Sequence, residues 1–566
     1  MRRSLFALLL PAAAMAMAAV PAIAAIAVGA AVAATVASGP AEALPGEALA
    51  NGSPANGSLA NGALTNEALL DTLQRTAFDF FWNEANPANG LIKDRSTPGS
   101  ACSIASVGFG LSAILIGIDH GWITRDEGRA RILTTLETFW NGPQGTAPDG
   151  MIGYKGLFYH FLDMNTATRT WDCELSTIDS ALLFAGILDA REYFTTDDPV
   201  DVQVRTLADS LYYRADWNFF RNGNPGILMG WRPGTGFAGF GQWVGYNEAM
   251  ILYILAIGSP THPVPASSWN TWTSGYHWQT QYGYTYVIFP PLFGHQYSHC
   301  WIDFRYIQDA YMRGRGITYF ENSRRATLAQ RNYCIANPFG HIGYGANLWG
   351  ITACDGPDGY AAHGAPPPQN DDGTIAPTAP AGSIPFTPDE SLAVLQNLYD
   401  NYRAMLWGPY GFRDAFNLDR GWWDTDYIGI DQGPIVLMIE NYRTGAVWER
   451  IERNGDVQWG LHLAGFDVAT GVAGATAASP RLLLHPASPN PLTSDSELAF
   501  ELPAPGRAVL TLVDVTGREC ATLLDASLPA GSHVARIDPS RLPSGIYYAR
   551  LIFGHEARAT RCLVLR

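Results

Sequence analysis

The spacing of hydrophobic and polar residues predicts amphipathic helices from residue 69 onward. Thr124 followed by Glu127 predicts a capping box at the start of one helix. Thr387-Pro388-Asp389-Glu390 predicts another start, with a cap, a first-turn proline and a capping glutamate. The first helix is indicated by apolar residues that recur with the period of one helix face, at Leu69, Leu70, Leu73, Ala77, Phe80 and Phe81.

The same periodicity continues through most of the chain and predicts its fold class. Many helices joined by long aromatic and acidic loops favour a mainly α fold, an (α/α)6 barrel over residues 67–468, over a bundle with short turns. The loop at 355–385, with the pair Asp371 and Asp372, is too long for a connector and is predicted to fold over the barrel mouth. Further helical runs, which bring the number of helices to roughly ten to twelve, lie at 102–119, 174–194, 200–214, 246–258, 301–313, 321–336 and 433–445.

A period of two replaces the helical pattern near the C-terminus. After an Ala/Gly/Thr linker at 469–483, short runs such as Ala508–Val513 and Ile546–Leu551 predict a small all-β sandwich over 484–566. Cys520 and Cys562 both lie there and could pair with each other. Seven cysteines in the chain leave at least one thiol free.

The N-terminal segment 1–38 is apolar and Ala-rich after Arg2 and Arg3, which indicates an export signal. A retained membrane anchor is the alternative, because the run is long enough to span a bilayer. Ala-Asn-Gly repeats make 39–66 a flexible linker. We therefore expect a secreted, periplasmic or surface-attached protein that uses the export machinery.

Composition narrows the partners of this chain. With 17 Trp and 25 Tyr but only 16% charged residues, the chain has more aromatic rings than a core needs, which favours a carbohydrate groove. A net charge of −16 without a Lys/Arg cluster argues against nucleic acid. His295 and His299 beside Cys300 resemble a metal cluster only superficially, and a packed aromatic loop is the favoured interpretation.

Glu248 is the most informative single residue. It stands at the head of the apolar run Met250–Ala256, flanked by Trp243 and Tyr246. Burial beside aromatic rings would raise its pKa toward the range of a general acid, and the two rings could stack on a sugar. The alternative is a carboxylate favoured by the helix dipole.

Two more acidic clusters precede apolar helices. Trp171-Asp172-Cys173-Glu174 and Asp179 could accept hydrogen bonds from sugar hydroxyls. Alternatively, Asp172 caps the helix and Asp179 is a satisfied buried acid. Paired tryptophans and several acids are hard to explain as core in the second cluster, which contains Trp422, Trp423, Asp424, Asp426, Asp431 and Gln432. The isolated acids Asp303, Asp309 and Glu321 are expected to pair with Arg305, Arg313 and Arg324.

Several motifs in order carry a family resemblance over about residues 67–460. They are Glu174–Asp179, Tyr246–Ala249, Asp355–Tyr360, Gly411–Asn417 with Asp414 inside it, Gly429–Ile435 and Glu440–Gly445. Together they resemble the bacterial glucoamylase-like domain that includes glycoside hydrolase family 144, the endo-β-1,2-glucanases. The resemblance implies an (α/α)6 barrel and an inverting mechanism without metal or cofactor. It also implies Glu248 as general acid and Asp431 as base, acting on water directly or through a substrate hydroxyl.

The remaining candidate residues are assigned to substrate binding. We expect an oligo- or polysaccharide to contact Asp172, Glu174, Asp179, Trp243, Tyr246, Asp355, Trp422, Trp423, Asp424 and Gln432. Cleavage of β-linked glucan, with β-1,2 preferred, is the leading hypothesis, for a monomer. A surface glycan-binding protein without turnover stays open, as does a polysaccharide lyase. A lyase is disfavoured because it needs cations to neutralise a uronate, and this chain is acidic.

The C-terminal segment carries a second resemblance. Pro489-Asn490-Pro491, Asp514–Arg518, Leu528–Gly531, Ser544–Tyr548 and the final Leu-Val-Leu-Arg resemble the immunoglobulin-like sorting domains of exported bacterial proteins. This implies secretion or surface attachment for the segment rather than catalysis.

Overall fold

The computed structural model describes residues 64–469, 482–488, 492, 496–502, 504–514, 517–554 and 556–564. The predicted export signal at 1–38, nearly all of the linker at 39–66 and most of the linker at 469–483 lie outside these residues. Within the described part of the chain, no helix combines the length and apolar character that crossing a bilayer requires.

Helices dominate residues 66–463. They are α1 Asn66–Asn83, α2 Ile104–Asp119, α3 Arg125–Asn141, α4 Thr177–Tyr193, α5 Pro199–Tyr213, α6 Met250–Gly258, α7 Ser267–Thr273, α8 Ala310–Arg313, α9 Tyr319–Ala336, α10 Thr378–Gly382, α11 Pro388–Leu406, α12 Gly429–Arg443, α13 Ala446–Glu452 and α14 Gly455–Leu463. Short 3₁₀ turns are found at Phe219–Arg221, Leu292–His295, Tyr297–Cys300 and Pro539–Arg541.

The capping signals in the sequence had mixed outcomes. The Thr124–Glu127 capping box is confirmed, with both reciprocal bonds present. Helix α11 begins with Pro388 as predicted, but the cap is wrong because the Thr387 side chain makes no capping bond. Its hydroxyl instead contacts the Ser391 hydroxyl at 3.1 Å.

The buried helices contact one another in a closed circuit. Helix α2 packs on α4, α4 on α6, α10 on α12, and α12 returns to α2. The turns at 292–300 fill the gap between α6 and α10. Helices α2 and α4 approach closely because both carry glycine at the contact, and a Cβ at Gly186 would lie 2.0 Å from the Gly108 carbonyl oxygen. Helices α1, α3, α5, α9, α11 and α14 pack on the outside of this circuit.

One predicted helix of this region is wrong. Residues 301–309 are not helical, and only the short α8 forms at the end of the predicted 301–313 helix. The 355–385 segment contains α10 near its end, which is buried against α12, and its position over the barrel mouth stays a prediction. The Asp371 side chain in that segment is 1% exposed and accepts hydrogen bonds from the Tyr333 and Tyr344 hydroxyls.

Short strands connect the helices and shape the loops. They are β1 Cys102–Ser103, β2 Gly153–Tyr154, β3 Leu157–Phe158, β4 Phe161–Leu162, β5 Leu175–Ser176, β6 Gly230–Trp231, β7 Trp278–Gln281, β8 Tyr284–Val287, β9 Ile307–Gln308, β10 Ala353–Cys354, β11 Ala361–Ala362, β12 Thr374–Ile375, β13 Trp407–Gly408, β14 Gly411–Phe412, β15 Phe416–Asn417, β16 Trp422–Trp423 and β17 Asp467–Val468. Strand β17 pairs with β9, so the last residues of the helical region return to it.

The C-terminal strands form two antiparallel sheets. The strands are β18 Leu483–Ser488, β19 Ser496–Leu502, β20 Gly506–Asp514, β21 Glu519–Leu528, β22 Gly531–Ile537, β23 Gly545–Phe553 and β24 Glu556–Val564. One sheet has the order β18-β19-β22 and the other β21-β20-β23-β24. Their inward side chains, including Leu498, Leu510 and Leu551, form a hydrophobic core separate from that of the helices.

The suggested disulfide between Cys520 and Cys562 is wrong. Cys520 lies on β21 and Cys562 on β24, at opposite edges of the same sheet. Three inter-strand spacings separate them by about 14 Å, which is beyond the reach of a disulfide. All seven cysteines are free thiols.

Candidate active site

Glu248 occupies the turn that leads into α6. Its carbonyl oxygen accepts a hydrogen bond of 3.0 Å from the Ser298 hydroxyl. The same Ser298 oxygen accepts one of 3.0 Å from the Ile251 N–H in the first turn of α6. Asn247 accepts another from the Ala249 N–H at 2.9 Å. These bonds hold the backbone on both sides of Glu248 and so fix the point from which its side chain extends.

The Glu248 carboxyl group has the electrostatics of a proton donor. Burial raises its pKa to about 7, its own backbone N–H opposes that rise, and the nearby Asp179 carboxylate adds to it. Within the described residues, no cationic side chain forms a salt bridge with Glu248. Desolvation therefore keeps a large fraction of this group protonated near neutral pH.

Asp431 lies in the first turn of α12, where a proline shapes the local hydrogen bonds. Pro434 has no N–H, so the helix cannot satisfy the Ile430 carbonyl four residues earlier. The Tyr297 hydroxyl donates to that carbonyl at 3.0 Å instead. Burial, followed by the Asp431 and Glu248 carboxyl groups, raises the pKa of Tyr297 well above its usual value. The two candidate catalytic acids therefore face the same tyrosine.

Asp431 and Asp414 form a buried carboxyl pair. Asp414 Oδ1 and Asp431 Oδ2 have no hydrogen-bond partner among the described residues other than each other's carboxyl group, while Asp414 Oδ2 accepts from the Asp355 N–H at 2.8 Å. Burial and the neighbouring Asp431 and Asp355 raise the pKa of Asp414 well above its usual range. Burial also raises the pKa of Asp431, and a hydrogen bond from Asp414 opposes that rise. The one proton that the two groups share therefore resides on Asp414, and Asp431 accepts a hydrogen bond from it.

Arg95 supplies positive charge to the same cluster. It bonds Asp355 at 2.8 Å and Asp94 at 3.3 Å, and lies 3.8 Å from Asp426. Asp426 is itself satisfied by Ser96 and Thr97, and is not free to bind a ligand. The Asp355 and Asp94 side chains, each 14% exposed, are therefore both held by Arg95.

Asp355, Asp414 and Asp424 are close enough to share a ligand. They offer carboxylate oxygens within 4.8 Å of one another, which is suitable for a hard cation or for sugar hydroxyls. Asp424 Oδ1 accepts from the Thr425 and Asp426 N–H groups at 2.6 and 3.0 Å, and Asp424 Oδ2 is buried without a partner. Burial raises the pKa of Asp424 to about 6.

A histidine holds the first acidic cluster together. His160 contacts Glu174 at 3.0 Å and lies 3.6 Å from Asp179. Burial alone would lower the pKa of His160, but Asp179 and Glu174 outweigh it and raise the value to about 9. Burial alone would raise the pKa of Glu174, but His160 and Arg232 lower it to about 2. Glu174 is therefore ionised and His160 is charged near neutral pH.

Asp179 occupies the first turn of α4. Its N–H donates to Ser176 Oγ at 3.3 Å, and its carboxylate accepts from the same hydroxyl at 2.5 Å. Asp172 does not cap α4, because the cap is Ser176 and α4 begins at Thr177. The Asp172 side chain is 92% exposed and pairs with Arg169 at 2.8 Å. Asp179 therefore lies beside the candidate acid, whereas Asp172 lies at the outer edge.

The two aromatic residues beside Glu248, Trp243 and Tyr246, belong to the hydrophobic core. Trp243 and Tyr246 are only 8% and 4% exposed, and the Trp243 indole N–H donates to Thr177 at 3.0 Å. Because both rings are packed in the core, neither has an open face for a sugar. They contribute to the site by enclosing the turn that carries Glu248.

Trp422 and Trp423 are half-buried neighbours on β16 that point to opposite faces. Trp423 stacks on Phe416 at 5.1 Å, and Trp422 packs on Cys354 and Ala415, next to Asp355 and Asp414. Gln432 is buried and its amide donates to the Phe412 carbonyl at 3.3 Å, which leaves its Oε1 as the group without a partner. Of these three residues, Trp422 is the one placed beside the acidic group.

The structure adds residues that sequence reasoning did not assign to the site. Asp94, Arg95, His160 and Tyr297 have no role in the sequence prediction, and Asp414 entered only inside a motif. Polar residues in loops just before buried helices are the one available signal, and it applies to Asp94 and Arg95 ahead of α2.

The predicted ion pairs of the isolated acids gave two outcomes. The pairs of Asp303 with Arg305 and of Glu321 with Arg324 and Arg325 are confirmed. The Asp309 pair is wrong, since Asp309 accepts from Trp269, Tyr319 and the Met312 N–H.

The fold and site define an α-helical protein with a cluster of buried carboxyl groups, and its relatives share the helical fold. The glycoamylase family, described as "Putative glucoamylase", matches residues 241–455. A Bacteroides uniformis protein solved under the same description is 36% identical, with a TM-score of 0.67 over 72% of this chain and 99% of its own. The endo-β-1,2-glucanase of Chitinophaga pinensis, solved with sophorotriose and glucose, is 30% identical, with a TM-score of 0.66 over 72% of this chain and 99% of its own.

A curated relative adds a second named activity. The exo-β-1,2-glucooligosaccharide sophorohydrolase of Parabacteroides distasonis is 33% identical over 427 residues, which are 69% of this chain. The chain spans 57% of the length of that relative. The chain belongs to the bacterial glucoamylase-like family that includes glycoside hydrolase family 144.

Proposed function

We propose that this protein is a glycoside hydrolase that cleaves β-1,2-linked glucan by an inverting mechanism, with Glu248 as general acid and Asp431 as base. The observation that carries the proposal is the Glu248 carboxyl group, desolvated to a pKa of about 7 without a cationic partner among the described residues, on a backbone that Ser298 holds through the Glu248 carbonyl. The Chitinophaga and Parabacteroides relatives, which are named for action on β-1,2-glucans, support the substrate class.

The chemistry assigns one proton transfer to each acid. Glu248 donates its proton to the glycosidic oxygen as the bond from that oxygen to the anomeric carbon breaks. A water attacks the anomeric carbon from the opposite face and its proton passes to Asp431, directly or through a substrate hydroxyl. In an inverting enzyme the two carboxyl groups stand about 6.5–9.5 Å apart to admit that water. The products are two shorter glucans, one with an inverted anomeric centre.

The proton that Asp414 and Asp431 share favours Asp431 as the base. A base must be ionised when substrate arrives, and the hydrogen bond from Asp414 favours the ionised form of Asp431 against its burial. The buried surroundings still leave Asp431 a strong proton acceptor, which favours proton transfer in the transition state. Tyr297, which neighbours both acids, fixes the start of α12 through Ile430.

Sugar hydroxyls would be bound by the remaining acids of the site. Asp424 Oδ2 is a buried acceptor without a protein partner, and Asp355 lies within reach of the same ligand. Glu174 is ionised and held by His160 and Arg232. A row of hydrogen-bond acceptors suits a polyol, whose hydroxyl groups donate hydrogen bonds to carboxylates.

The same proposal includes the fold around the site and the location and oligomeric state of the protein. The circuit of buried helices is the inner ring of an (α/α)6 barrel, and the C-terminal sheets form an immunoglobulin-like sandwich that serves in sorting. The chain is exported through its N-terminal segment and acts as a monomer outside the cytoplasm. Fractionation of the native host and light scattering of the purified protein test the location and the monomer separately.

The activity is tested with a panel of linear glucans. Purified protein is incubated with β-1,2-, β-1,3-, β-1,4- and α-1,4-glucans, products are separated by size, and the first anomer formed is read by proton NMR. We expect oligosaccharides from β-1,2-glucan with an α reducing end at early times. Release from another linkage alone refutes the substrate class, and a β anomer refutes the mechanism. Binding without products would make the protein a glycan-binding member of the family.

A further inference from the structure

Trp171 stands out as a large apolar side chain in solvent on an unusual backbone. It is 62% exposed, and both Trp171 and Asp172 have φ of 56°. A left-handed conformation is unfavourable for a bulky residue, and two in succession compound the cost. Such strain persists only where the surroundings impose it, and it is concentrated at functional sites.

The surroundings of Trp171 do impose this conformation. Arg169 pairs with the Asp172 carboxylate at 2.8 Å and donates to the Cys173 carbonyl at 2.7 Å. The same guanidinium donates to the Pro148 carbonyl at 3.1 Å, which ties the turn to a neighbouring loop. The Cys173 thiol donates to the Phe161 carbonyl at 3.4 Å. The turn is therefore clamped on both sides while the indole stays outside.

A row of rings leads from Trp171 to the candidate acid. The indole contacts the Phe161 ring at 5.1 Å between centroids. Phe161 stacks on His160 at 3.9 Å with 14° between the planes. His160 lies 3.6 Å from Asp179, and Asp179 acts on the pKa of Glu248. Two ring contacts therefore link Trp171 to His160, which pairs with Glu174 and lies beside Asp179 in the first acidic cluster.

We propose that Trp171 is a sugar-binding platform that stacks on a glucose ring of the bound chain outside the cleavage point, and so sets the preference for longer substrates. The apolar face of a pyranose matches an indole, and the polar neighbours Asp172 and Glu174 can accept hydrogen bonds from the hydroxyls around that ring. Clamping the turn in advance removes the ordering cost that an exposed ring would otherwise add to binding. The inference rests on the proposed function for the identity of the sugar chain.

The test compares Trp171→Ala and Trp171→Phe with a control at Trp459. Trp459 is 36% exposed on α14 and stacks on His462, apart from the acidic residues. Steady-state rates are measured on long β-1,2-glucan and on the shortest oligosaccharide that is cleaved. We expect Trp171→Ala to raise KM for long glucan by about two- to tenfold, the size of an aromatic contact. We expect kcat and short-substrate rates to be unchanged, Trp171→Phe to restore part of the affinity, and Trp459→Ala to have no effect.

Trp171→Gly separates folding from binding. Glycine adopts a positive φ without strain, so we expect this variant to keep or raise the unfolding temperature while losing affinity. Equal KM on long glucan for wild type and Trp171→Ala, or equal losses on long and short substrates, would overturn the platform.

Binding is also measured by calorimetry in the Glu248→Gln protein, with and without Trp171→Ala. If wild-type protein cleaves no glucan, the proposed function fails, while this binding comparison still decides the role of Trp171. Weaker binding in the double variant supports the platform, and unchanged or undetectable binding in both proteins refutes it.

Discussion

Asp414 and Asp431 are a buried carboxyl pair in which Asp414 Oδ1 and Asp431 Oδ2 both lack another hydrogen-bond partner among the described residues. The second oxygen of Asp414 accepts from the Asp355 N–H, which orients the pair. Two neighbouring carboxylates cannot both ionise at low cost, so one of them retains a proton. In the proposed mechanism, Asp414 is therefore a positioning residue that keeps Asp431 ready to accept a proton.

Asp414→Asn and Asp414→Ala should change the pH profile in opposite directions. Asparagine can accept from Asp355 and donate permanently to Asp431, so the acidic limb of kcat/KM should move to lower pH. Alanine leaves Asp431 desolvated without a donor, so that limb should move to higher pH and the neutral rate should fall. A hydrogen bond to a charged group is worth about 1.5–3 kcal/mol, or about one to two pH units. Identical profiles for both variants would contradict the pair.

Glu248→Gln should abolish most turnover without unfolding the protein. The amide keeps the shape of the side chain but cannot deliver a proton, and general acid catalysis is worth about 10²–10⁴-fold. Rates on unactivated glucan and the circular dichroism spectrum provide the measurement. A β-glucosyl substrate with an acidic leaving group needs little protonation and serves as control. A near wild-type rate on glucan would remove Glu248 from the role.

The same variant should report the burial of Glu248 through stability. The pKa of Glu248 is raised from an ordinary 4.5 to about 7, so the unfolded chain ionises this group first as pH rises. Wild-type stability from this group is fully present below pH 4.5 and is lost as pH rises to about 7. Urea unfolding of both proteins at pH 4.5 to 8 should show Glu248→Gln gaining relative stability over that window. A difference independent of pH would mean that the carboxyl group is solvated.

Chelation should leave activity unchanged, because Arg95 already supplies a cation to the acidic group. Its guanidinium bonds Asp355 at 2.8 Å and Asp94 at 3.3 Å. Activity is measured after dialysis against EDTA, then with calcium or magnesium restored, and Arg95→Met is the matched variant that removes the internal cation. Loss on dialysis that a divalent ion restores would show instead that Asp355, Asp414 and Asp424 hold a metal.

Local signals predicted local structure well, and the site required tertiary information. The Thr124–Glu127 capping box is formed by bonds within four residues, so the local sequence is sufficient to predict it. The Asp414–Asp431 pair joins two segments that no periodicity connects, and Asp94 and Arg95 join it from the far end of the domain. The solvent exposure of single tryptophans also could not be predicted from the sequence. Trp243 and Trp171 both precede an acidic residue and an apolar helix, yet Trp243 is buried and Trp171 is exposed to solvent.

A second limit concerns inner elements that are not α-helices. The predicted 301–313 helix is wrong over residues 301–309, and the chain fills the neighbouring part of the inner circuit with 3₁₀ turns at 292–300. Tyr297 and Ser298 belong to those turns, so the residues that hold the backbone beside both proposed catalytic acids lie in a segment that the sequence assigned to packing. The helix before them, α6, is short but wholly apolar, and it was predicted correctly in type.

A protein that ends after Ala469 should fold and keep its glucanase rate. The C-terminal strands have a hydrophobic core of their own, distinct from that of the helices. The truncation retains β17, whose pairing with β9 closes the helical region. We expect kcat/KM on soluble glucan within about twofold of the full chain, because domains with separate cores fold independently. A matched truncation at Ala464 removes β17 as well and should lower the unfolding temperature. If the protein ending at Ala469 is folded by circular dichroism yet inactive on soluble substrate, the sheets support the active site, and the sorting role proposed for them is insufficient.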